Sequence, residues 1–167
     1  LGFYNTVVSL KASDSRTSYE AARLFASKSD YPLHLGVTEA GGVVPSCVRT
    51  TWTLGRLLSQ GIGSTIRYSI TGSIENEVYA GVELLRTLGL RNGGVRIVSC
   101  PMCGRKSFDS QGFLKDIEAC LLATGKDVTV AIMGCQVNGP GEAKGADLAV
   151  TGIGSKVYLY RNGEICK

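Results

Sequence analysis

"LGLRNGGVRIVSC", residues 88–100, ends one kind of pattern and begins another. Upstream, Ile74, Val78, Val82 and Leu85 recur three or four residues apart, the spacing of a helix face. Gly89 suits the left-handed residue that follows a helix C-terminus, and Asn92-Gly93-Gly94 reads as a turn. "VRIVS", from Val95, is then a short β-type run closed by a cysteine. The chain is expected to divide here, into residues 1–90 and 91–167.

Working outward, similar β-type runs stand at "VVSL" near Val7, "LHLGV" from Leu33, "TIRYSI" from Thr65 and "VTVAIM" from Val128. Their separation of roughly 30 residues is that of a βα unit. The helical stretches between them are legible from spacing. Thr17 and Glu20 have capping-box separation ahead of Ala21, Leu24 and Phe25. A second helix is expected from about Cys47 through Leu54, Leu57 and Leu58 to Gly61, and a fourth over Leu114, Ile117 and Leu121 before Gly125. Alternating strand and helix predicts an α/β architecture with a largely parallel sheet. The tail differs, because "ADLAVTGI" and "KVYLYRNGEICK" follow too closely for another long helix, and Asn162-Gly163 signals a two-residue hairpin. Residues 91–167 thus read as a smaller α+β module with a mixed sheet. Three parallel βα units alone would leave bare edges, so residues 1–90 are expected to be the end of a longer barrel or sheet.

Composition narrows the class of function. Of 167 residues 44% are apolar, as in an ordinary folded protein. No apolar run approaches the ~20 residues of a membrane span, and the opening "LGFYNTVV" has no signal-peptide pattern, which leads to the expectation of a soluble, cytoplasmic protein. The net charge of +4 comes from singly scattered Lys and Arg, which argues against a nucleic-acid-binding stripe while leaving room for a small anionic substrate. Six cysteines that include a C-x-x-C pair point to metal or redox chemistry.

Polar residues gather where strands are expected to end: Lys11, Ser13 and Asp14 after the first, Thr38 and Glu39 after the second, Arg67 and Ser69 within the third. Arg67 would be costly to bury unless it met an anion or a partner. His34 alternates with apolar neighbours, the pattern of a satisfied core histidine. Cys100 and Cys103, with Pro101 and Gly104, could point two thiolates at one metal. Cys135 follows the next strand of the same module, and if the two strands are parallel neighbours their terminal loops meet. Glu142 is the nearest candidate for a fourth ligand. Three Cys and one Glu suit an iron–sulfur cluster with one exchangeable position, and zinc bound by three Cys and a carboxylate would look the same from spacing alone. Cys120, beside Ile117 and Leu121, reads as a buried structural thiol, and Cys47 and Cys166 as bystanders.

"SLKASD", "LHLGVTEAGG", "GIGSTIRYSI", "CPMCGR" and "GCQVNGPGEA", in this order and spacing, strongly resemble the 4-hydroxy-3-methylbut-2-enyl diphosphate synthase family. These are iron–sulfur enzymes of the methylerythritol phosphate route to isoprenoids. The resemblance covers essentially the whole chain. It implies the last three βα units of a TIM barrel followed by an iron–sulfur domain. It further implies that Cys100, Cys103, Cys135 and Glu142 hold a 4Fe-4S cluster, and that Lys11, Arg67 and Ser69 meet a cyclic diphosphate. Glu39 would lie beside the reacting carbons, Asn138 would face substrate from the cluster domain, and His34 belongs to the same motif. The implied reaction is reductive opening and dehydroxylation of 2-C-methyl-D-erythritol 2,4-cyclodiphosphate, with electrons from ferredoxin or flavodoxin. In the family the cluster domain of one subunit closes over the barrel of its homodimer partner, so these residues alone are expected to be inactive. Two other readings compete with this one, a zinc-stabilised module and a ferredoxin-like carrier. The carrier would leave Lys11, Glu39 and Arg67 unexplained.

Overall fold

The computed structural model describes residues 2–101 and 103–167, and the chain divides between Arg91 and Asn92 into two units that are taken in turn.

In the first unit α1 (Ser15–Ala26), α2 (Val43–Leu58) and α3 (Ile74–Thr87) alternate with β1 (His34–Gly36) and β2 (Thr65–Arg67). The two strands pair in parallel, with Leu35 opposite Ile66. The strand expected at "VVSL" is reduced to one parallel bridge between Val8 and Leu33. Val8 donates to the Pro32 carbonyl at 2.9 Å and accepts from the His34 amide at 2.8 Å, a contact that fixes the chain beside β1 just ahead of Lys11. Leu33, Leu35, Tyr19, Ala22, Leu54, Leu57, Tyr68 and Leu84 form the core.

The first helix starts earlier than its sequence pattern suggested. The Asp14 carboxylate accepts from both the Thr17 amide and the Thr17 hydroxyl at 2.7 Å, so Asp14 is the cap and Thr17 lies inside the helix. Glu20 pairs instead with Arg23 at 2.8 Å. Likewise α2 begins at Val43, four residues before Cys47, because Pro45 falls in the first turn, where a missing N–H costs nothing. In α3 the buried positions are Gly81 and Leu84, while Ile74 and Val78 are 71% and 61% exposed. A Cβ on Gly81 would reach ordinary contact with Ile66 and Tyr68, so the helix lies against β2 by its smallest residue. Gly89 closes α3 at φ +69°, with its amide on the Arg86 carbonyl at 2.9 Å.

The second unit runs β3 (Val95–Ser99), α4 (Ser110–Ala123), β4 (Val128–Met133), α5 (Gly139–Lys144), β5 (Leu148–Ile153), β6 (Lys156–Arg161) and β7 (Glu164–Ile165). The sheet order is β3-β4-β5-β6-β7, parallel across the first three strands and antiparallel across the last two pairs. Alternation along β4 sends Val130 and Ile132 toward Phe113, Leu114, Ile117 and Leu121 of α4, and Ala131 and Met133 toward Ala143, Ala149 and Tyr160. Cys120 is exposed, at the rim of the α4 stripe, and not the buried thiol expected. Asn162 and Gly163 both have positive φ, 50° and 82°, as a tight hairpin between β6 and β7 requires. The helix α5 is an addition to the expected elements. Pro140 lies in its first turn, Gly145 caps its end, and Ala143 is fully buried against the sheet. Among the described residues no helix is long and apolar enough to cross a membrane.

Candidate functional site

In the first unit, parallel pairing of β1 with β2 sets His34 opposite Thr65 and Gly36 opposite Arg67. Alternation turns Leu35 to the core and leaves His34, Gly36, Thr65 and Arg67 on the other face. His34 is half-buried and does not join the apolar core. Its Nδ1 meets Thr65 Oγ1 at 2.8 Å, which leaves Nε2 as the nitrogen available to a ligand. Lys11 enters the same face, for a Cβ on Gly36 would stand 3.4 Å from Lys11 Cε and 3.1 Å from the Arg67 carbonyl oxygen.

The electrostatics are those of cations crowded without an anion. Burial, and then the charge of Arg67, hold the Lys11 ammonium below its ordinary pKa. Burial, then the charges of Lys11 and Arg67, do the same to His34. No carboxylate figures among the groups acting on either. An arrangement of this kind favours a bound anion, which would relieve the mutual repulsion.

Glu39 and Ser69 occupy the loops that leave the C-terminal ends of β1 and β2. Glu39 is exposed and adopts φ 54°, in the left-handed region where a long side chain is uncommon. The loop is tied down on both sides of it. The Thr38 amide donates to the Ala12 carbonyl at 3.1 Å, and Arg49 Nη1 donates to the Ala40 carbonyl at 3.3 Å. Ser69 is half-buried, and its carbonyl accepts the buried Ser46 hydroxyl at 2.9 Å. Nearby, Glu77 Oε1 accepts the Ile70 amide at 2.8 Å, joining α3 to the end of β2. Gly36, Thr65 and Glu77 were not singled out by sequence reasoning. Only Gly36 gave a signal, as a glycine inside a strand pattern, which often marks a close approach.

In the second unit Cys100 directly follows β3 and Cys135 lies two residues past β4. Those strands are parallel neighbours, with Ser99 opposite Ile132. Gly134 N–H donates to Cys100 Sγ at 3.4 Å. Cys103 is exposed, and hydrogen bonds first from the Arg105 backbone and then from its side chain hold the thiol below its usual pKa. Cys135 is buried, and all three are free thiols. Glu142 is exposed on α5, and Asn138, at the N-cap of that helix, makes no capping bond with its side chain. A cleft of 330 Å³ beside these loops is lined by Arg105, Ser107, Gln136, Val137 and Gly154. Cys47 packs half-buried against the core of the first unit, and Cys166 is exposed.

The donor set fits a thiophilic metal group in chemistry: reduced cysteines in loops that follow adjacent strands, Arg105 holding the Cys103 thiol below its usual pKa, and a carboxylate on the next helix. Among the described residues, no three His, Cys, Asp or Glu side chains converge closely enough to hold a metal ion. The fold thus brings the loops of Cys100 and Cys135 together without gathering Cys103 and Glu142 to the same point.

Residues 1–82 match the model described as the GcpE TIM-barrel domain, and residues 96–167 the one described as the GcpE protein C-terminal domain. The chain belongs to the GcpE family. In this GcpE chain the cation-lined face lies within the barrel match and the three thiols within the C-terminal match. The chain is 52% identical over 165 residues to the 4-hydroxy-3-methylbut-2-en-1-yl diphosphate synthase (flavodoxin) of Treponema denticola, an alignment spanning 99% of this chain and 43% of the relative. Proteins of the same name from Treponema pallidum and Geobacter sulfurreducens are 48% and 45% identical over the whole of this chain, which spans 41% and 47% of their lengths. This GcpE chain therefore covers less than half of each of these relatives.

Proposed function

We propose that this chain forms part of an oxidoreductase that reductively opens and dehydroxylates 2-C-methyl-D-erythritol 2,4-cyclodiphosphate to 4-hydroxy-3-methylbut-2-enyl diphosphate, in isoprenoid biosynthesis. The observation that carries this reading is that Lys11, His34 and Arg67 share one strand face, where burial and then the charge of Arg67 lower the Lys11 pKa, and burial and then the charges of Lys11 and Arg67 lower that of His34, with no carboxylate among the groups acting on either. Membership of the GcpE family and the names of the relatives agree with it.

On this reading residues 1–90 are the last three βα units of a TIM barrel, and residues 91–167 are a cluster domain. Lys11 and Arg67 neutralise the diphosphate, and Ser69 adds a hydroxyl at the end of β2. His34, oriented by Thr65, offers its second ring nitrogen to a substrate oxygen. Glu39 stands at the strand end with a carboxylate that can deliver or steer a proton as the carbon–oxygen bond breaks. Asn138 contributes an amide to the substrate from the second unit. A 4Fe-4S cluster held by Cys100, Cys103, Cys135 and the more readily displaced Glu142 supplies single-electron reduction when bound. Its electrons come from flavodoxin or ferredoxin; flavodoxin appears in the relatives' names. The working form is a cytoplasmic homodimer in which one subunit's cluster domain meets the partner's barrel, so the 167 residues by themselves give no turnover.

The test is metal and sulfide analysis of protein purified without oxygen. About four irons and four sulfides per chain support the cluster. Stoichiometric zinc without sulfide, persisting after attempted reconstitution, replaces it with a structural zinc module.

A further inference from the structure

Two consecutive residues near the end of β5 hold different parts of the thiol site, and neither offers a thiol or a charge. Thr151 is fully buried, and a Cβ on Gly139, the first residue of α5, would overlap its Cγ2. Gly152 is buried too, where a Cβ would stand 2.5 Å from Phe108 Cβ, 2.9 Å from Ser107 Oγ and 3.1 Å from the Gly134 carbonyl oxygen. Successive strand residues point to opposite faces of a sheet, so these two contacts lie on opposite sides of β5.

Each contact leads to a candidate ligand. Ser107, in the loop after Cys103, donates its amide to the Gly134 carbonyl at 2.7 Å, and Gly134 donates its own amide to Cys100 Sγ at 3.4 Å. The bare Gly152 leaves the space in which this chain of bonds closes. On the other face Thr151 fills the space that the missing side chain of Gly139 leaves, and α5 carries Glu142 one turn further on. We infer that Thr151 and Gly152 are positioning residues, which together set how Cys100, Ser107 and the Glu142 helix stand about the end of β5. The importance of that spacing rests on the ligand reading above, whereas the seating itself belongs to the metal-free chain.

Residue-resolved alkylation and amide exchange of the metal-free chain test this. Gly152→Ala is expected to raise the Cys100 alkylation rate about tenfold and to deprotect the Ser107 and Gly134 amides, the scale of a crowding strain released by loop displacement. Gly139→Ala is expected to leave Cys100 within about twofold and instead to deprotect the Glu142 amide, which bonds the Asn138 carbonyl at 3.0 Å. Leu148→Gly, which weakens the same strand at its other end and outside the core cluster on which Cys100 packs, is expected to leave Cys100 alkylation within about twofold. Equal release of Cys100 by Leu148→Gly or by Gly139→Ala, or no release by Gly152→Ala, overturns the inference. If a variant does not fold, the wild-type chain decides, because exchange of the Ser107 amide at the rate of an unstructured peptide would itself overturn the seating. A failure of the ligand reading appears separately, as zinc in place of iron.

Discussion

Gly36 and Arg67 stand opposite each other in the β1–β2 pairing, and the space over Gly36 is taken by the Arg67 carbonyl and the Lys11 side chain. A methyl group at position 36 has to push the Arg67 carbonyl or the Lys11 side chain back by a few tenths of an ångström. Gly36→Ala is therefore expected to weaken binding of inorganic diphosphate about tenfold, or ~1.4 kcal/mol, with a smaller loss of thermal stability. Calorimetric titration beside a melting curve checks both. Unchanged affinity would show that Lys11 does not reach the anion from this position.

The protonation of His34 supplies a second prediction. Burial and the charges of Lys11 and Arg67 set its folded pKa below the ordinary 6.5. Between the two values the unfolded chain holds a proton that the folded chain does not. Stability is thus complete above pH 6.5 and is lost as pH falls through the folded pKa. Diphosphate opposes this by adding negative charge, so its binding should raise the His34 midpoint and take up protons. A ring-proton titration by NMR, with and without diphosphate, reads the shift. A midpoint that stays put places the anion elsewhere.

Metal loading should separate the thiols from the carboxylate. Cys135 is buried at a strand end, whereas Glu142 is exposed on a short helix. Cys135→Ser is expected to abolish iron and sulfide retention. Glu142→Ala should retain the fold and much of the iron, with an altered spectrum from the position that lost its carboxylate. Anaerobic analysis with circular dichroism compares the variants. Equal loss in both would make Glu142 as indispensable as a thiolate.

The core of the first unit gives a stability contrast within one helix. Leu54 is fully buried on α2 and Val44 is 72% exposed. Leu54→Ala should cost ~2–5 kcal/mol and Val44→Ala no more than ~0.5 kcal/mol, read from denaturant midpoints.

Local pattern served well where one residue type answers one backbone need. Asn162-Gly163 forms the hairpin, Gly89 ends α3, and the apolar runs at Leu33, Thr65, Val95 and Val128 contain strands. It served less well where an element depends on its surroundings. "NGPGEAK" carries no helical period from which a helix is expected, yet Ala143 packs on the sheet and holds α5 there. Ile74 and Val78 have helical spacing, but the small Gly81 decides which side of α3 meets β2. At the site, Lys11, Arg67 and the cysteines stood out as residue types at strand ends. The place of His34 beside Lys11 and Arg67 did not follow from local pattern, which read it as a core histidine, because it arises from pairing two strands roughly 30 residues apart. The same holds for Gly134 and Cys100, which meet only through the β3–β4 register.

The backbone at Glu39 implies that two selections on this one codon would part company. At φ 54° a glycine would relieve the conformation, while a glutamate must be held there by the tied loop around it. A library randomised at position 39 and sorted for thermal survival should enrich glycine. On the function proposed above, the same library placed in a complete enzyme, and required to sustain isoprenoid supply, should return glutamate. The ratio between the two pools would measure how far the role proposed for Glu39 keeps this loop from its most comfortable sequence.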